Sequence, residues 1–208
     1  MCRNIIRKAL APVLVNDLIH LQLKFLHMFG GLFGKKEDDK DYQFRHRAFM
    51  TTAGKMGACA RLAKEDPSTL FLTWFSDTNK SFKTFFAENG VDENRVVDAR
   101  HFHAAQLASH KPVFAEHHPL LTKEEELVKS WNIMNIPVYS AMDEPLFKHF
   151  GSEKMIPMMK MMGMKESEVI EHSLVSKSII KGQEKIAEQV VVEQAAHSQQ
   201  EWMEKNLK

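Results

Sequence analysis

The chain has 208 residues, 44% of them apolar, enough for one sizeable core with an extension. Its 28 Lys and Arg nearly balance 27 Asp and Glu, so no net field draws it toward nucleic acid or an anionic membrane. Its two cysteines, Cys2 and Cys59, make neither a disulfide framework nor the paired spacing of a zinc site. We therefore expect a cytoplasmic protein without a nucleic-acid partner.

The N-terminal extension, residues 1–43, combines an apolar stretch with a charged one. Residues 1–27 are basic at the front and apolar behind, but polar residues such as Asn16 interrupt them before the roughly 20 residues of a membrane span. We predict an amphipathic helix, no integral membrane segment, and a charged linker over 34–43. An alternative is translation from Met28, which would leave residues 1–27 untranslated.

Strand and helix patterns alternate between residues 44 and 150. Four short runs rich in β formers predict strands: TLFLTWF (69–75), RVVDAR (95–100), KPVFAEH (111–117) and IPVYSA (136–141). The first run is apolar almost throughout, which is typical of a strand buried on both faces. Because strands alternating with helices favour a parallel sheet, we predict an α/β domain of about four strands over residues 44–150.

Three helices are predicted in the same domain. They are AFMTTAGKMGACARLAKED (48–66), SDTNKSFKTFFAENG (76–90) and TKEEELVKSWN (122–132). We expect Ser76 or Asp77 to cap the second helix and Gly90 to end it. We expect Thr122 to cap the third, with Glu125 completing a capping box.

The remainder, residues 151–208, is predicted to be helical. A methionine-rich part is expected to consist of short helices broken at Pro157 and Gly163, and residues 173–208 to form one long helix weakened at Gly182 by about 1 kcal/mol. A long helix with a narrow apolar stripe usually lies on a larger partner. The residues expected to contact a protein partner are Val175, Ile179, Ile186, Val190, Met158 and Met162. The alternative for the methionines is that they fill gaps in the core.

The stretch FMTTAGKMG is the nearest approach to a phosphate-binding P-loop. Phe49 stands where the first glycine is needed and Met56 where a metal-binding hydroxyl is needed. We therefore expect Lys55 to lie on a helix surface, and we predict no nucleotide or other cofactor site from these motifs.

Histidines cluster between residues 101 and 118. Imidazole is a common metal ligand, so a small metal-binding protein is one alternative. Its candidate ligands are His101, His103, His117 and His118. No H-E-x-x-H motif or cysteine partner accompanies them. Glu116 and His117 could act as an acid/base pair, but no nucleophile is nearby, so we predict neither a catalytic residue nor a metal.

The stretch from residue 150 onward resembles a known family. FGSE, MGMKE, IEH, SKSI and QEKI follow one another between residues 150 and 186. In this order they resemble the segment of the preprotein translocase motor SecA that leaves its second nucleotide-binding domain and enters the long scaffold helix. The resemblance spans about 45–192 and is strongest over 140–190. It implies an incomplete RecA-like fold of the helicase C-terminal type, followed by a long helix.

In such motors ATP lies between two RecA-like domains, the first with a P-loop and the second with phosphate-facing arginines. This sequence has no counterpart of the first domain and no G-R-x-G-R motif. Arg95 and Arg100 are the only arginines between residues 62 and 208. The resemblance implies ATP binding, but the motifs do not support it, and we expect no autonomous ATP hydrolysis.

The leading hypothesis is a degenerate, noncatalytic relative of the SecA second domain that serves as an interaction module or accessory factor in protein translocation. Its partner would be full-length SecA, the Sec translocon or a client chain, and it could associate peripherally with the inner membrane. The alternatives are half of an ATPase site completed in trans through Arg95 or Arg100, and the histidine metal protein.

Overall fold

The computed structural model describes residues 43–207, so the predicted N-terminal helix and the choice between Met1 and Met28 as start lie outside it. Within that range five strands form one sheet: β1 (Phe44–Phe49), β2 (Thr69–Thr73), β3 (Val96–Asp98), β4 (Lys111–Phe114) and β5 (Ile136–Ala141). All pairings are parallel, in the order β1-β5-β4-β2-β3. The predicted α/β class is confirmed, and the fold is consistent with an incomplete RecA-like domain.

Helices connect and cover the strands. They are α1 (Thr52–Glu65), α2 (Ser76–Glu88), α3 (Leu121–Trp131), α4 (Pro145–Lys148), α5 (Ile156–Met161), α6 (Ser173–Ala187) and α7 (Gln199–Asn206), with 3₁₀ turns at Glu93–Arg95, Ala99–His101, Ala104–Ala108 and Ser152–Lys154. Parallel neighbours require crossovers, and α1, α2 and α3 supply them. None of the described helices has the length and apolar content to cross a membrane.

Strand β1 is the fifth strand that the sequence patterns did not predict. The predicted first helix began at Ala48, whereas the strand continues to Phe49 and the helix starts at Thr52. Its register against β5 runs from Phe44 opposite Ile136 to Phe49 opposite Ala141. Arginine and histidine side chains within FRHRAF obscure the apolar alternation, and the strand is stabilised by a partner far away in the chain.

The predicted side-chain caps of two helices are wrong. The N-cap of α2 is Phe75, without a side-chain hydrogen bond, and neither Ser76 nor Asp77 takes that role. The backbone N–H groups of Trp74 and Phe75 instead donate to the Glu116 carboxylate. A carboxylate distant in sequence thus accepts from the two backbone N–H groups that lead into the helix.

The N-cap of helix α3 lies two residues earlier than predicted. Leu120 is its N-cap and Thr122 lies inside the first turn, so the capping box with Glu125 does not form. The chain leaves the helix through Asn132, whose φ of 54° is left-handed.

The predicted long C-terminal helix is two helices. Helix α6 ends at Ala187, and α7 begins only at Gln199, after Ser198, whose hydroxyl accepts from the backbone N–H of Glu201. The chain turns back here because Trp202, which is 1% exposed, belongs to the core. Burying an aromatic side chain of this size outweighs the helix propensity of the connecting residues.

Of the two helix breaks predicted in the methionine-rich part, the one at Gly163 is observed and the one at Pro157 is not. Pro157 lies in the first turn of α5, where proline is tolerated, and it does not break the helix. Gly163 does end it, with a left-handed φ of 85°. Gly182 lies against the ring of Phe150, whose nearest atom would be 2.9 Å from an added Cβ, so close packing explains a glycine within α6.

The hydrophobic core lies on both faces of the sheet. Leu70 and Leu72 of β2 face one layer, which includes Ile186 and Trp202, and Phe71 faces the other, which includes Phe82. All five residues of β2 are buried, which confirms the prediction of a strand covered on both sides.

Candidate functional site

A cavity of about 250 Å³ lies at the carboxyl edge of the sheet. Its walls are the first turns of α1 and α2, the residues that follow β4 and β5, and the start of α7. Strands β2 and β4 are neighbours in the sheet. After β2 the chain crosses to β3 on one side, and after β4 it crosses to β5 on the other side. Ligands of parallel α/β proteins bind at such reversals, so this is the candidate site.

A buried ion pair joins α1 to the residues after β5. Lys55 is 1% exposed and donates to the Glu144 carboxylate and to the carbonyl oxygen of Ala115, the latter at 2.5 Å. Burial lowers the pKa of Lys55, but pairing with Glu144 outweighs burial and leaves the pKa above its ordinary value. The prediction of a surface lysine is wrong, because the side chain turns inward to a partner that lies 89 residues away in sequence.

Glu116, which follows β4, is a buried carboxyl. It accepts hydrogen bonds from the backbone nitrogens of Trp74 and Phe75 and, at 2.7 Å, from the hydroxyl of Thr78. Burial raises its pKa to about 7, although Lys55 opposes the shift. Its protonation therefore changes near neutral pH.

The neighbouring His117 belongs to a separate network. Its Nδ1 lies 3.0 Å from Glu124, and its Nε2 lies 3.3 Å from Nδ1 of His46. Burial, followed by the charge of His117, lowers the pKa of His46 to about 3. The acid/base pair of Glu116 and His117, which was considered from the sequence and not predicted, is not formed, because the two side chains have different partners. Sequence reasoning missed His46 and Glu124, which only the β1–β5 pairing and helix α3 bring to this place.

His118 makes a third set of contacts. Its Nε2 lies 3.3 Å from Glu193, whose pKa is lowered to about 2 chiefly by that hydrogen bond. His101 and His103 lie exposed near the 3₁₀ turn after β3. Across residues 43–207, no group of three or more His, Cys, Asp or Glu side chains is arranged to hold a metal ion.

The two arginines considered for phosphate contacts have structural partners. Arg95 donates to the carbonyl oxygens of Thr69, at 3.0 Å, and Asp66, at 2.6 Å. Because Thr69 is the first residue of β2, this arginine lies at the amino edge of the sheet, opposite the cavity. Arg100 follows β3 and pairs with Asp98 at 2.5 Å, with 66% of its side chain exposed.

The residues predicted to contact a protein partner include buried, half-buried and exposed side chains. Ile179 and Ile186 are 6% and 0% exposed and pack inside this chain, so no partner reaches them in this fold. Val175, Val190 and Met158 are half-buried. Among the methionines, Met162 is 55% exposed and its neighbour Met161 is 87% exposed; Val169 and Leu174 are the next exposed apolar side chains along the chain.

No protein-family model matches the chain. A stretch of it is 44% identical over 50 residues to the protein translocase subunit SecA of Christiangramia forsetii, covering 24% of this chain and 4% of that protein. The match to SecA of Acidithiobacillus ferrooxidans is 46% over 48 residues, covering 23% and 5%. The match to SecA 1 of Chlorobium chlorochromatii is 41% over 51 residues, covering 24% and 5%.

The aligned stretch thus spans only about a twentieth of the length of these relatives. The aligned stretches, of 48 to 51 residues, are about as long as the segment 140–190, where the sequence resemblance is strongest. Over about a quarter of its length, this chain is similar in sequence to SecA translocase subunits.

Proposed function

We propose that the chain is a noncatalytic SecA-like interaction module that binds a protein partner in protein translocation. The candidate partner is full-length SecA or the Sec translocon. Residues 44–150 would be a degenerate RecA-like unit and residues 151–208 its helical extension. The protein would act in the cytoplasm or peripherally at the inner membrane.

The noncatalytic assignment depends on one observation, the burial of Lys55 against Glu144. Phosphoryl transfer requires cations and N–H groups that face the phosphates. Lys55, the lysine in the cavity wall, is neutralised by Glu144, and Arg95 lies at the opposite edge of the sheet. The wall also carries Asp77 and Asp143, which would repel a polyphosphate.

The exposed apolar side chains between residues 161 and 174 support the binding role. Met161, Met162, Val169 and Leu174 are each more than 40% exposed. Methionine thioethers adapt to different surfaces, and exposed apolar groups in one segment are typical of contact sites. We call these four residues the apolar segment.

The test uses the full chain with purified SecA. We expect the chain alone to hydrolyse ATP at background rate and to bind SecA in a pull-down at moderate salt. Replacing Met161 and Met162 together by Glu should weaken binding by about tenfold or more, since central contacts dominate interface energies. The matched control is Val191→Glu, at a side chain that is 96% exposed but outside the apolar segment.

Two results would contradict the proposal. One is ATP hydrolysis by the isolated chain well above background. The other is failure to capture either SecA or translocon components under conditions where the chain is folded.

A second candidate, completion of an ATPase site in trans, is favoured only by the exposure of Arg100. In that case the chain would stimulate ATP hydrolysis by SecA, and Arg100→Ala would abolish the stimulation without weakening the complex.

A further inference from the structure

We propose that helix α7 exchanges between two copies of this chain, so that α7 of each copy docks on the other and residues 188–198 become helical. The partner is thus a second copy of the chain, and the product is a closed dimer. The inference does not depend on the translocation role, because it concerns only how α7 is attached to the α/β domain.

The first support is the way in which α7 docks on the domain. The Gln199 side chain, 5% exposed, accepts from the backbone N–H of Leu146 at 2.8 Å and donates to the carbonyl oxygen of His117 at 2.9 Å. Trp202 lies in the core, edge-on to His118 with the ring centres 5.8 Å apart. We call the surface formed by Leu146, His117 and His118 the α7 groove. None of these contacts requires that α7 and the groove belong to the same chain.

The second support is the composition of the connector between α6 and α7, residues 188–198. Six of its eleven residues are Glu, Gln or Ala, which are strong helix formers. The sequence contains neither glycine nor proline after Gly182, whereas Gly163 ends α5 in the usual left-handed conformation. No connector residue therefore forces the chain to leave the helix at Ala187, and the docking of α7 maintains the break.

The third support is the exposure of the connector. Val191 and Val192 are 96% and 77% exposed, so straightening the chain sacrifices no buried surface at either residue. The Glu193 carboxylate holds the connector to the domain, 3.2 Å from Nζ of Lys123 and 3.3 Å from Nε2 of His118. Lys123 is 46% exposed, and ion pairs in contact with water contribute little to stability.

A continuous helix would carry α7 away from its own groove. At 1.5 Å per residue, Trp202 would lie about 22 Å beyond Ala187 along the helix axis. In the folded-back chain Trp202 shares a core cluster with Ile186, so the straight form leaves that core incomplete. A second copy restores it reciprocally, and a two-fold exchange leaves no groove empty.

Protein concentration determines which form predominates. A segment on a short flexible connector has an effective concentration on the order of millimolar at its own site, so exchange between copies competes in that range. Each connector residue that joins the helix also allows one more backbone hydrogen bond, which favours the straight form.

The first experiment incubates the full chain at about 0.5 mM, a few degrees below its unfolding temperature, and then cools it. Size-exclusion chromatography with light scattering should separate a monomer from a dimer. By circular dichroism, the dimer should have more helix than the monomer, by about the eleven connector residues per chain. After dilution the dimer should persist for at least an hour, because Trp202 must leave the core before the copies separate. Monomer alone, a dimer without added helix, or separation within seconds would each overturn the proposal.

A matched pair of variants tests the role of helix formation. In one variant Val191 and Val192 are both replaced by alanine, and in the other both are replaced by glycine. The two variants lose the same exposed apolar side chains and differ in helix propensity. Over the four substituted positions of a dimer, the alanine variant should have a dimerisation constant at least about a hundredfold larger than the glycine variant.

The thermal unfolding of both monomers verifies that each variant is folded. Equal dimerisation constants would overturn the proposal. Loss of the dimer in both variants would also overturn it, because the copies would then associate through the exposed valines and not by exchange of α7.

Discussion

His46 is kept uncharged by its surroundings, and this makes the fold sensitive to acid. In the unfolded chain the group takes up a proton near its ordinary pKa of 6.5, whereas in the folded chain it does so only near 3. Between these values the unfolded state binds more protons, so stability falls as the pH is lowered, by up to about 1.4 kcal/mol per pH unit from this residue. Glu116, whose pKa is raised from 4.5 to about 7, has the opposite effect between those two values. We therefore expect urea midpoints to fall between about pH 4.5 and 3, where the effect of His46 is no longer offset.

Substitution identifies the residue responsible. His46→Phe, which keeps an aromatic ring between Phe44 and His117, should reduce the loss of stability over that pH range. His110→Gln, at a half-buried histidine beside Ser109, is the control and should leave the slope unchanged. An unaltered slope in His46→Phe would contradict the assignment.

Lys55 and Glu144 should behave as a pair. Lys55→Met leaves Glu144 buried without its cation and should lower the free energy of unfolding by about 3–5 kcal/mol. Lys55→Met combined with Glu144→Leu should recover most of that loss, because no uncompensated charge remains from the pair. Chemical denaturation of the single and double variants measures both values.

The matched control is Lys80→Met. Lys80 is 78% exposed and lies 4.0 Å from Asp77, so its loss should cost less than about 1 kcal/mol. A comparable cost for both lysines, or no recovery in the double variant, would show that the buried pair does not act as a unit.

At the level of elements, α1 approaches the segment after α5 closely at Gly54. A Cβ there would collide with the backbone carbonyl oxygen of Glu166. Gly54→Ala should therefore displace the segment after α5 and destabilise the protein by about 1–3 kcal/mol. Amide exchange at Ile170, which pairs with Ala48 on the outer side of β1, should quicken.

Gly57 is the control within the same helix. The nearest atom to a Cβ there is Nη1 of Arg61 at 3.7 Å, an ordinary contact. Gly57→Ala should stabilise the protein by about 0.5–1 kcal/mol, since alanine is the better helix former. Destabilisation by both substitutions would indicate a general intolerance of α1 and not the contact at Glu166.

The elements that sequence predicted well carry their signal locally. IPVYSA coincides with β5, and TLFLTWF contains β2, which ends two residues earlier at Thr73. The apolar spacing and Gly90 locate α2. In each case the signal for burial or for a turn comes from neighbouring residues. β1 and the break between α6 and α7 were missed, since each depends on a contact with a distant segment.

The same distinction applies to the candidate site. Its position follows from parallel strands, which place their carboxyl ends together, and Glu116 was noticed in the sequence. Its chemistry does not follow, because Lys55–Glu144 and His46–His117 are pairs separated by 89 and 71 residues. No local pattern indicates which charges will be buried together.

At the scale of the whole molecule, the C-terminal helix completes the core. Trp202 is 1% exposed, lies edge-on to His118, and donates to Glu193 at 2.9 Å. Trp202→Ala should cost about 3–5 kcal/mol of unfolding free energy, the usual effect of removing a large buried ring. Thermal unfolding should remain a single transition at a lower temperature.

Val191→Ala provides the comparison, at a side chain 96% exposed between α6 and α7, and should change stability by less than about 0.5 kcal/mol. A small effect of Trp202→Ala would mean that the last helix is dispensable for the core.

The strand order also has a consequence for biosynthesis. β1 is made first, yet its hydrogen-bonding partner β5 follows 92 residues later, as the contact of Arg47 with Tyr139 illustrates. At about 5–20 residues per second, a ribosome needs roughly 5–20 s to supply that partner. During this interval β1 is an unpaired edge, and its alternating arginines, Arg45 and Arg47, are the kind of residue that discourages edge-to-edge aggregation. The charges that hid this strand in the sequence would thus protect the nascent chain until the sheet closes.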